Sequence, residues 1–245
     1  MSNRFYVEGE QRGEKVNDLF ARIAPRYDII NDLQSFGLHR AWKRRLVRMA
    51  NPRERECALD VCCGTGDIAF ALARTGADVM AVDFSEAMLG VARQRADANL
   101  KSEIGDLKFE RADALALPFA ENSFDIVTVG YGLRNLSSWE QGLREMHRVA
   151  KPGGRLLVLD FGKPDNAAWR TFYFSYLRCF VPAFGKIFCG DSATHAYILE
   201  SLKHYPAQRG VAEAMQQLGC RDVRIVNLVG GAMSINYGAK AQERI

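Results

Sequence analysis

The spacing of hydrophobic residues changes twice along this chain of 245 residues. From about residue 16 to residue 50 they recur at helical intervals, with breaks at APRYD and near Gly37. Short apolar runs then alternate with helical stretches, which are clearest at 85–98 and 138–150. The runs are CALDVCC, ADVMAVDFS, LKFERADA, FDIVTVGYG and RLLVLDFG. Strands that alternate with helices predict a parallel sheet with helices on both faces.

The second change follows Pro164. Residues 165–203 are aromatic-rich and helical, another helix is predicted at 207–218, and two final apolar runs flank a hairpin turn at Gly230-Gly231. The predicted fold class is α/β: a Rossmann-like, doubly wound, seven-stranded and mostly parallel sheet with an antiparallel C-terminal strand. N-terminal helices precede it, and a helical insertion follows strand five. In domain terms, a helical segment over 1–50 precedes a unit over 51–245 that contains the insertion 165–203, effectively as a single domain.

An aromatic stripe recurs at four-residue intervals within the insertion. Its members are Phe172, Tyr176, Phe180, Phe184 and Phe188, interrupted by Pro182. Such a stripe is typical of core packing. The alternative is that the insertion and residues 16–50 form a lid and an apolar tunnel, and the pattern leaves both interpretations open.

Composition narrows the classes of partner. A net charge of +4 without a dense Lys/Arg footprint gives no reason to expect nucleic acid. The basic cluster LHRAWKRRLVRMA at 38–50 is either a solvated helix face or a surface for anionic lipid or ligand. Six cysteines with no C-x-x-C pair indicate reduced thiols. With no recognisable signal peptide or membrane-spanning run, we expect a cytoplasmic protein, and peripheral contact with the inner face of the membrane stays open.

The sequence ALDVCCGTGDIAF, residues 58–70, predicts a strand, a glycine turn and the start of a helix. Gly64-x-Gly66-x-x-Ala69 fits a relaxed dinucleotide fingerprint, and Asp83 follows at the distance of an acid that binds a ribose hydroxyl. NAD and S-adenosylmethionine both contain that ribose. An NAD-dependent oxidoreductase therefore stays open on this motif alone.

Carboxylates are concentrated at the ends of the predicted strands. They are Asp60, Asp67, Asp83 and Asp113. A carboxylate about 4 to 6 Å from a pyrophosphate would cost about 1 kcal/mol or more, whereas the sulfonium and ammonium of S-adenosylmethionine are cations. Although each aspartate could be a helix cap, the four together favour S-adenosylmethionine as the cofactor, without a metal.

Six blocks of sequence follow one another from about Lys15 to Lys240. They are RYDIINDLQSFGLHRAWKRRLV, LDVCCGTGD, GDLKFERADALALPFAENSFD, GYGLRN, HRVAKPGGRLLVLDFGKP and YILESLKHYPAQ. These blocks resemble the ubiquinone/menaquinone biosynthesis C-methyltransferase family, a demethylmenaquinone methyltransferase-like group of the class I S-adenosylmethionine-dependent methyltransferases. The glycine turn is common to that class, whereas YD..N...SFG.HR.WKR and GLRN are much more restrictive.

The resemblance implies methylation of a ring carbon of a prenylated quinol by S-adenosylmethionine. GYGLRN and the Met-containing tail favour demethylmenaquinol as the acceptor, with a polyprenyl methoxy-benzoquinol as the alternative. A non-catalytic scaffold that binds the cofactor is a further alternative, and a homo-oligomer stays open. Many members carry a His near the position of Asn236, so any role of that His does not transfer to this chain.

The glycine motif and the resemblance together imply site residues. Those expected to bind the cofactor are Asp60, Gly64, Thr65, Gly66, Asp83, Asp113, Ala114 and Gly130. Those expected to bind the acceptor are Asp28, Asn31 and Tyr131, and those expected to be catalytic are Arg134, Tyr27 and Asn135.

The implied reaction needs a quinolate, because a phenol with a pKa near 10 is almost fully protonated at neutral pH. The four histidines, at positions 39, 147, 195 and 204, lie outside the strand-end loops expected around the methyl group. Arg134 is therefore predicted to stabilise the anion electrostatically. The alternative for Arg134 is a structural salt bridge.

Overall fold

The computed structural model describes residues 12–99, 106–189 and 193–242, with side chains described except at 99 and 180–198. Three members of the aromatic stripe, Phe180, Phe184 and Phe188, therefore lie outside the described side chains.

Three helices precede the sheet: α1 (Arg12–Ile23), α2 (Tyr27–Ser35) and α3 (Leu38–Ala50). A 3-10 turn over Ala24–Arg26 separates α1 from α2. Gly37, with a φ of 74°, precedes α3. Both predicted breaks are confirmed, because Pro25 and Gly37 lie at the two helix boundaries.

The sheet contains seven strands in the order β3-β2-β1-β4-β5-β7-β6. They are β1 (Cys57–Val61), β2 (Asp78–Asp83), β3 (Leu107–Arg111), β4 (Phe124–Gly130), β5 (Ala150–Phe161), β6 (Arg221–Leu228) and β7 (Met233–Ala239). The first five strands pair in parallel, and β7 pairs antiparallel with both β5 and β6. The predicted sheet, including its antiparallel C-terminal strand, is confirmed.

Helices cover both faces of this sheet. They are α4 (Asp67–Ala73), α5 (Glu86–Asn99), α6 (Trp139–Val149), α7 (Ala167–Cys189), α8 (Ala193–His204) and α9 (Ala207–Gln217). One core contains Leu143 of α6 and Met215 of α9, and the other contains Leu46 of α3 and Leu72 of α4, all fully buried. Because the central strands of the sheet are buried on both faces, they read as mainly apolar runs.

The strand order reverses between β1 and β4, which are neighbours in the sheet although β2 and β3 lie between them in the chain. In open α/β folds, a crevice forms at the carboxyl ends of the strands at such a point. The glycine turn after β1 and the loop after β4 both begin there, so the fold brings residues 62–66 and 131–135 to one edge.

Candidate active site

A cavity of about 300 Å³, here the sheet-end cavity, lies at the carboxyl ends of the parallel strands. The predicted cofactor residues that line it are Gly64, Asp83, Asp113, Ala114 and Gly130. Helix α1 contributes a further wall, including Glu14 and Asn17. Three carboxylates are therefore present, whereas none of its described lining residues is Lys, Arg or His. Such a wall favours a ligand with positive charge.

Two glycines in the wall of this cavity occupy positions that a larger residue could not take without strain. Gly64 in the glycine turn has a φ of 57°, a conformation that side chains rarely adopt. A Cβ on Gly132, which follows β4 in the next loop, would lie 2.4 Å from Cβ of Cys62. Larger residues at either position would distort the wall.

Asp83 is held in place by backbone donors. Its Oδ2 accepts a hydrogen bond of 2.8 Å from the Gly64 amide, and its Oδ1 accepts one of 2.8 Å from the Ser85 amide. Burial raises the pKa of Asp83, and these amides oppose the shift. The carboxylate thus connects the glycine turn to the end of β2 and faces the cavity.

Only two of the four strand-end carboxylates, Asp83 and Asp113, lie on the cavity wall. Asp60 is 1% exposed and accepts a hydrogen bond of 2.8 Å from the Thr128 hydroxyl. Asp67 accepts hydrogen bonds from Lys43 (2.8 Å) and Arg95 (2.7 Å). Although burial alone would raise its pKa, these cations hold the pKa of Asp67 below its ordinary value. The prediction that four aspartates form the rim of the cavity is therefore wrong. Two of them lie on its wall, and Glu14 is the third carboxylate there.

The remaining predicted residues of the glycine turn, Thr65 and Gly66, contact neighbouring parts of the protein. Thr65 donates a hydrogen bond of 2.8 Å to Asp28 of α2, and Arg95 of α5 contacts Asp28 at 3.1 Å and the Thr65 carbonyl at 2.7 Å. A Cβ on Gly66 would come 2.9 Å from the Phe70 ring. Thr65, Gly66 and Asp28 are not lining residues of either cavity described here. Thr65 and Asp28 join α2 to the glycine turn, whereas Gly66 leaves room for the Phe70 ring.

A second cavity, of about 450 Å³, lies between the N-terminal helices and α7 and is here the aromatic cavity. Its wall is mainly apolar and includes Trp42, Phe161, Tyr173 and Tyr176. Asn31, Tyr131 and Arg134 of the predicted acceptor and catalytic sets also line it. A cavity of this size and character suits an apolar organic ligand with a few polar groups.

Tyr27 and Tyr131 line both cavities, so the two cavities meet at these side chains. Burial raises the pKa of both phenols, well above the ordinary value for Tyr131. Both hydroxyls are therefore protonated at neutral pH. They can orient ligands by hydrogen bonding, whereas neither is suited to act as a base.

Arg134 has two roles in this geometry. Its Nε lies 3.1 Å from Oδ1 of the buried Asp160, and its Nη1 donates to Asn135 (3.0 Å) and Ser201 (2.8 Å). Its guanidinium also lies 4.7 Å from the centre of the Phe161 ring, at the wall of the aromatic cavity. The structural salt bridge is therefore present, and the cation faces the cavity as well. Asn135 lines the sheet-end cavity.

The model of the ubiE/COQ5 methyltransferase family matches residues 8–240 of this chain. A ubiquinone/menaquinone biosynthesis C-methyltransferase UbiE of Sinorhizobium fredii is 41% identical over 248 residues, covering 98% of this chain and 95% of that protein. A demethylmenaquinone methyltransferase of Listeria monocytogenes is 36% identical over 238 residues, covering 96% and 99%. The chain belongs to the ubiE/COQ5 methyltransferase family.

The fold agrees with this assignment. A solved S-adenosylmethionine-dependent methyltransferase of Aquifex aeolicus matches with a TM-score of 0.61 at 17% identity, covering 89% of this chain and 97% of that chain. As a member of the family, the chain is a methyltransferase with S-adenosylmethionine as its methyl donor. The NAD-dependent oxidoreductase that the glycine motif left open is thereby excluded.

Several residues of this methyltransferase site were missed from the sequence. Glu14 lines the sheet-end cavity, and Gln34 and His39 line the aromatic cavity. His39 was set aside because it lies on a helix outside the strand-end loops, yet α3 brings it to the wall. The HR pair in the SFGLHR block was the available signal.

Other polar residues of the methyltransferase have structural roles. Asn236 is 1% exposed and donates a hydrogen bond of 2.7 Å to the Gln208 carbonyl. Burial raises the pKa of Cys62 and Cys63 well above the ordinary value, so both thiols stay protonated. Within the described ranges, no group of three or more His, Cys, Asp or Glu residues could hold a metal ion.

Asp60→Asn should stabilise this methyltransferase at alkaline pH. Burial raises the pKa of Asp60 from 3.8 to about 7, so the folded state keeps a proton that the unfolded chain releases. The free energy of unfolding of the wild type should therefore fall by about 4 kcal/mol between pH 4 and pH 8 because of this group. Thermal unfolding at both pH values should show a variant advantage that grows with pH. An advantage independent of pH would contradict the assignment.

Proposed function

We propose that this chain methylates a ring carbon of a prenylated quinol, with demethylmenaquinol as the acceptor and menaquinol as the product. The observation that carries the proposal is the contact of two unlike cavities at Tyr27 and Tyr131: one acidic, the other aromatic. The names of the Sinorhizobium and Listeria relatives agree with this reaction class.

The sheet-end cavity fits S-adenosylmethionine in charge. Its described walls carry Glu14, Asp83 and Asp113 and no cationic side chain. Asp83, already held by two amides, would accept the ribose hydroxyls, and the carboxylates would offset the ammonium and sulfonium charges. When bound, the cofactor supplies an electrophilic methyl group. The protein orients it through the glycine turn.

The aromatic cavity supports a naphthoquinol over a benzoquinol. The second ring of a naphthoquinol is an unsubstituted hydrocarbon, and aromatic side chains such as Trp42, Phe161 and Tyr173 can pack against it. A methoxy-benzoquinol would bring polar substituents to those walls, where each buried oxygen would need a donor. The mainly apolar wall therefore favours the naphthoquinol.

Arg134 supplies the positive charge that a quinolate needs. It is 6% exposed, so its field is weakly screened. Burial raises the pKa of its partner Asp160, and Arg134 opposes that shift. The guanidinium would thus stabilise negative charge on the acceptor oxygen while staying fixed by Asp160, Asn135 and Ser201.

Mass spectrometry of the quinone pool tests the function directly. The chain is expressed in a strain that lacks its own ring methylase and makes both quinone classes, and the expected result is restored menaquinone. Restored ubiquinone alone would make the benzoquinol the acceptor. If neither quinone appears although the purified protein binds S-adenosylmethionine, the non-catalytic scaffold becomes the better interpretation.

The mouth of the aromatic cavity is apolar and exposed. Phe36, Leu38, Phe172 and Val229 line the cavity and are 79%, 45%, 62% and 44% exposed, respectively. Helix α3, which begins at Leu38, also carries exposed arginines. Each could contribute up to about 1 kcal/mol of binding free energy with anionic lipid. The described part of the chain contains no helix long and apolar enough for a membrane span. We propose that the mouth rests on an anionic bilayer, from which the prenyl chain enters.

Phe36→Asn should weaken binding to anionic vesicles about 10- to 100-fold, because a buried Phe side chain contributes about 1.5–3 kcal/mol. Phe36 has a φ of 51°, and Asn accepts that conformation readily, so the fold should be kept. The matched control is Ile225→Asn, since Ile225 is 38% exposed on β6 and is not a lining residue of the aromatic cavity. Flotation at low salt measures the binding. Equal loss in both variants, or no binding by the wild type, would contradict the docking.

A further inference from the structure

Asp32 and His39 form a pair, and His39 lies on the wall of the aromatic cavity. Nε2 of His39 lies 2.8 Å from Oδ1 of Asp32. Arg40 donates to both carboxylate oxygens of Asp32, at 2.7 and 2.6 Å. These bonds fix Asp32 between the two side chains, and they fix the imidazole relative to α2.

The hydrogen bond to Asp32 determines which imidazole nitrogen holds a proton. Hydrogen bonds from Arg40, and to a smaller extent from His39, lower the pKa of Asp32 to about 2. Asp32 is therefore an ionised acceptor at neutral pH, and Nε2 of His39 must be the donor. In a neutral imidazole, Nδ1 then carries the free lone pair.

Nδ1 of His39 is buried and has no hydrogen-bond partner within the protein. His39 is 2% exposed and lines the aromatic cavity. The amide nitrogen of Gln34 and the hydroxyl of Tyr131, also on this wall, are likewise buried and unpartnered. Buried polar atoms are almost always paired in folded proteins. Nδ2 of Asn31, on the same wall, is a fourth such atom. This group of unpaired polar atoms on a mainly apolar wall indicates that the polar head of a ligand completes them.

We propose that His39, oriented by Asp32, is the base that removes the proton from the ring hydroxyl of the acceptor. The proposal rests on the proposed function, because it requires a phenolic acceptor. The O–H bond breaks, Nδ1–H forms, and the electron pair stays on oxygen, where it activates the ring carbon. The carbon takes the methyl group as its bond to sulfur breaks, which leaves the neutral thioether of the demethylated cofactor. The hydrogen of that carbon then leaves as a proton and restores the aromatic ring, and the proton on Nδ1 returns to the ring oxygen, which frees His39. One proton is released per methyl group transferred.

The surrounding charges keep His39 able to accept a proton. Burial, followed by the charge of Lys43, lowers the pKa of His39, whereas Asp32 and Asp67 oppose that shift. The imidazole is therefore neutral at pH 7. Arg40 also faces the pair through Asp32. Arg134 and His39 then have separate tasks on one wall: Arg134 stabilises the anion, and His39 generates it.

A structural role is the competing explanation, since the pair joins α2 to α3. The His39 amide already bonds the Ser35 hydroxyl at 3.2 Å across the same junction. The His39→Gln variant separates the explanations, because the Gln amide can still donate to Asp32 but offers no basic nitrogen. The matched control is His147→Gln: His147 is half-buried on α6, burial lowers its pKa too, and it is not a lining residue of either cavity.

We expect His39→Gln to lower kcat by about 100- to 10,000-fold at pH 7, with the Kd for S-adenosylmethionine and the KM for demethylmenaquinol within about threefold of wild type. The loss should shrink as the pH approaches that of acceptor ionisation, near 10. His147→Gln should match the wild type. For His39→Ala, added imidazole should restore part of the rate. Asp32→Asn, which removes the orienting anion, should lower kcat with a pH profile displaced from that of the wild type.

Turnover of His39→Gln within threefold of wild type, or a loss that is equal at every pH without imidazole rescue, would overturn the role of His39. In that case the wild type would still methylate demethylmenaquinol, so the proposed function would stand. Failure of the wild type to methylate any quinol, despite binding S-adenosylmethionine, would instead overturn the proposed function and this inference with it. If His39→Gln fails to fold, the pH profile of kcat for Asp32→Asn tests the role of His39 instead.

Discussion

Arg134→Met is expected to lower kcat by about 100- to 1,000-fold, the range found when one donor that stabilises a developing anion is removed. The guanidinium lies on the wall of the aromatic cavity, 4.7 Å from the Phe161 ring centre, and carries the positive charge that would face a quinolate. Because Arg134 is not a lining residue of the sheet-end cavity, the Kd for S-adenosylmethionine should change little. Steady-state kinetics and calorimetry on one preparation measure both.

Loss of stability must be separated from loss of catalysis in this variant. Asp160 is 2% exposed, and removing Arg134 leaves its carboxylate buried without the cation, at a cost of about 3–5 kcal/mol. The double variant Arg134→Met/Asp160→Asn removes both charges, so its Tm should recover while kcat stays low. If turnover recovers together with Tm, Arg134 acts only through folding. Near-normal turnover in the single variant would defeat the catalytic role.

Asp83→Asn should weaken S-adenosylmethionine binding about 100-fold. The carboxylate of Asp83 accepts the Gly64 and Ser85 amides and lines the sheet-end cavity, so it can accept ribose hydroxyls on its remaining lone pairs. An amide loses the charge and turns one acceptor into a donor. Hydrogen bonds to a charged group contribute about 1.5–3 kcal/mol each. Two weakened bonds account for the expected change.

The same strand offers a control for this prediction. Asp78 lies at the other end of β2, is exposed, and does not appear among the residues that line either cavity. Asp78→Asn should leave the Kd unchanged in the same titration. An equal effect of both substitutions would mean that net charge, rather than the position of Asp83, determines affinity. Unchanged affinity in Asp83→Asn would remove this residue from the cofactor site.

The architecture was predictable because its signals are local. β1 reads as an apolar run interrupted only by Asp60, as expected of a strand buried on both faces, and the breaks at Pro25 and Gly37 follow from single residues. The identity of the cofactor was likewise favoured by carboxylates at strand ends, since strands of one parallel sheet end at one edge. Asp83 and Asp113 do meet there.

Which carboxylates form ion pairs inside the protein was not predictable in this way. From the sequence, Asp67 and Asp83 are equal candidates for the cavity wall. In the structure, Lys43 and Arg95 form ion pairs with Asp67 that offset its charge. These cations are 24 and 28 positions away along the chain. Their approach depends on how α3 and α5 pack, which no local pattern specifies. The same packing explains why Thr65 and Asp28 bond each other instead of lining a cavity.

By itself, the sequence determined the elements, their order in a doubly wound sheet, and an acidic edge suited to a cationic cofactor. Only the tertiary structure decided which acids face that edge, that α1 covers it, and that His39 lines the aromatic cavity with an unpaired nitrogen. The physical reason is one of range. Periodicity and turn chemistry act over a few neighbouring residues, whereas burial, ion pairing and proton affinity depend on distances between helices that come together only when the chain folds.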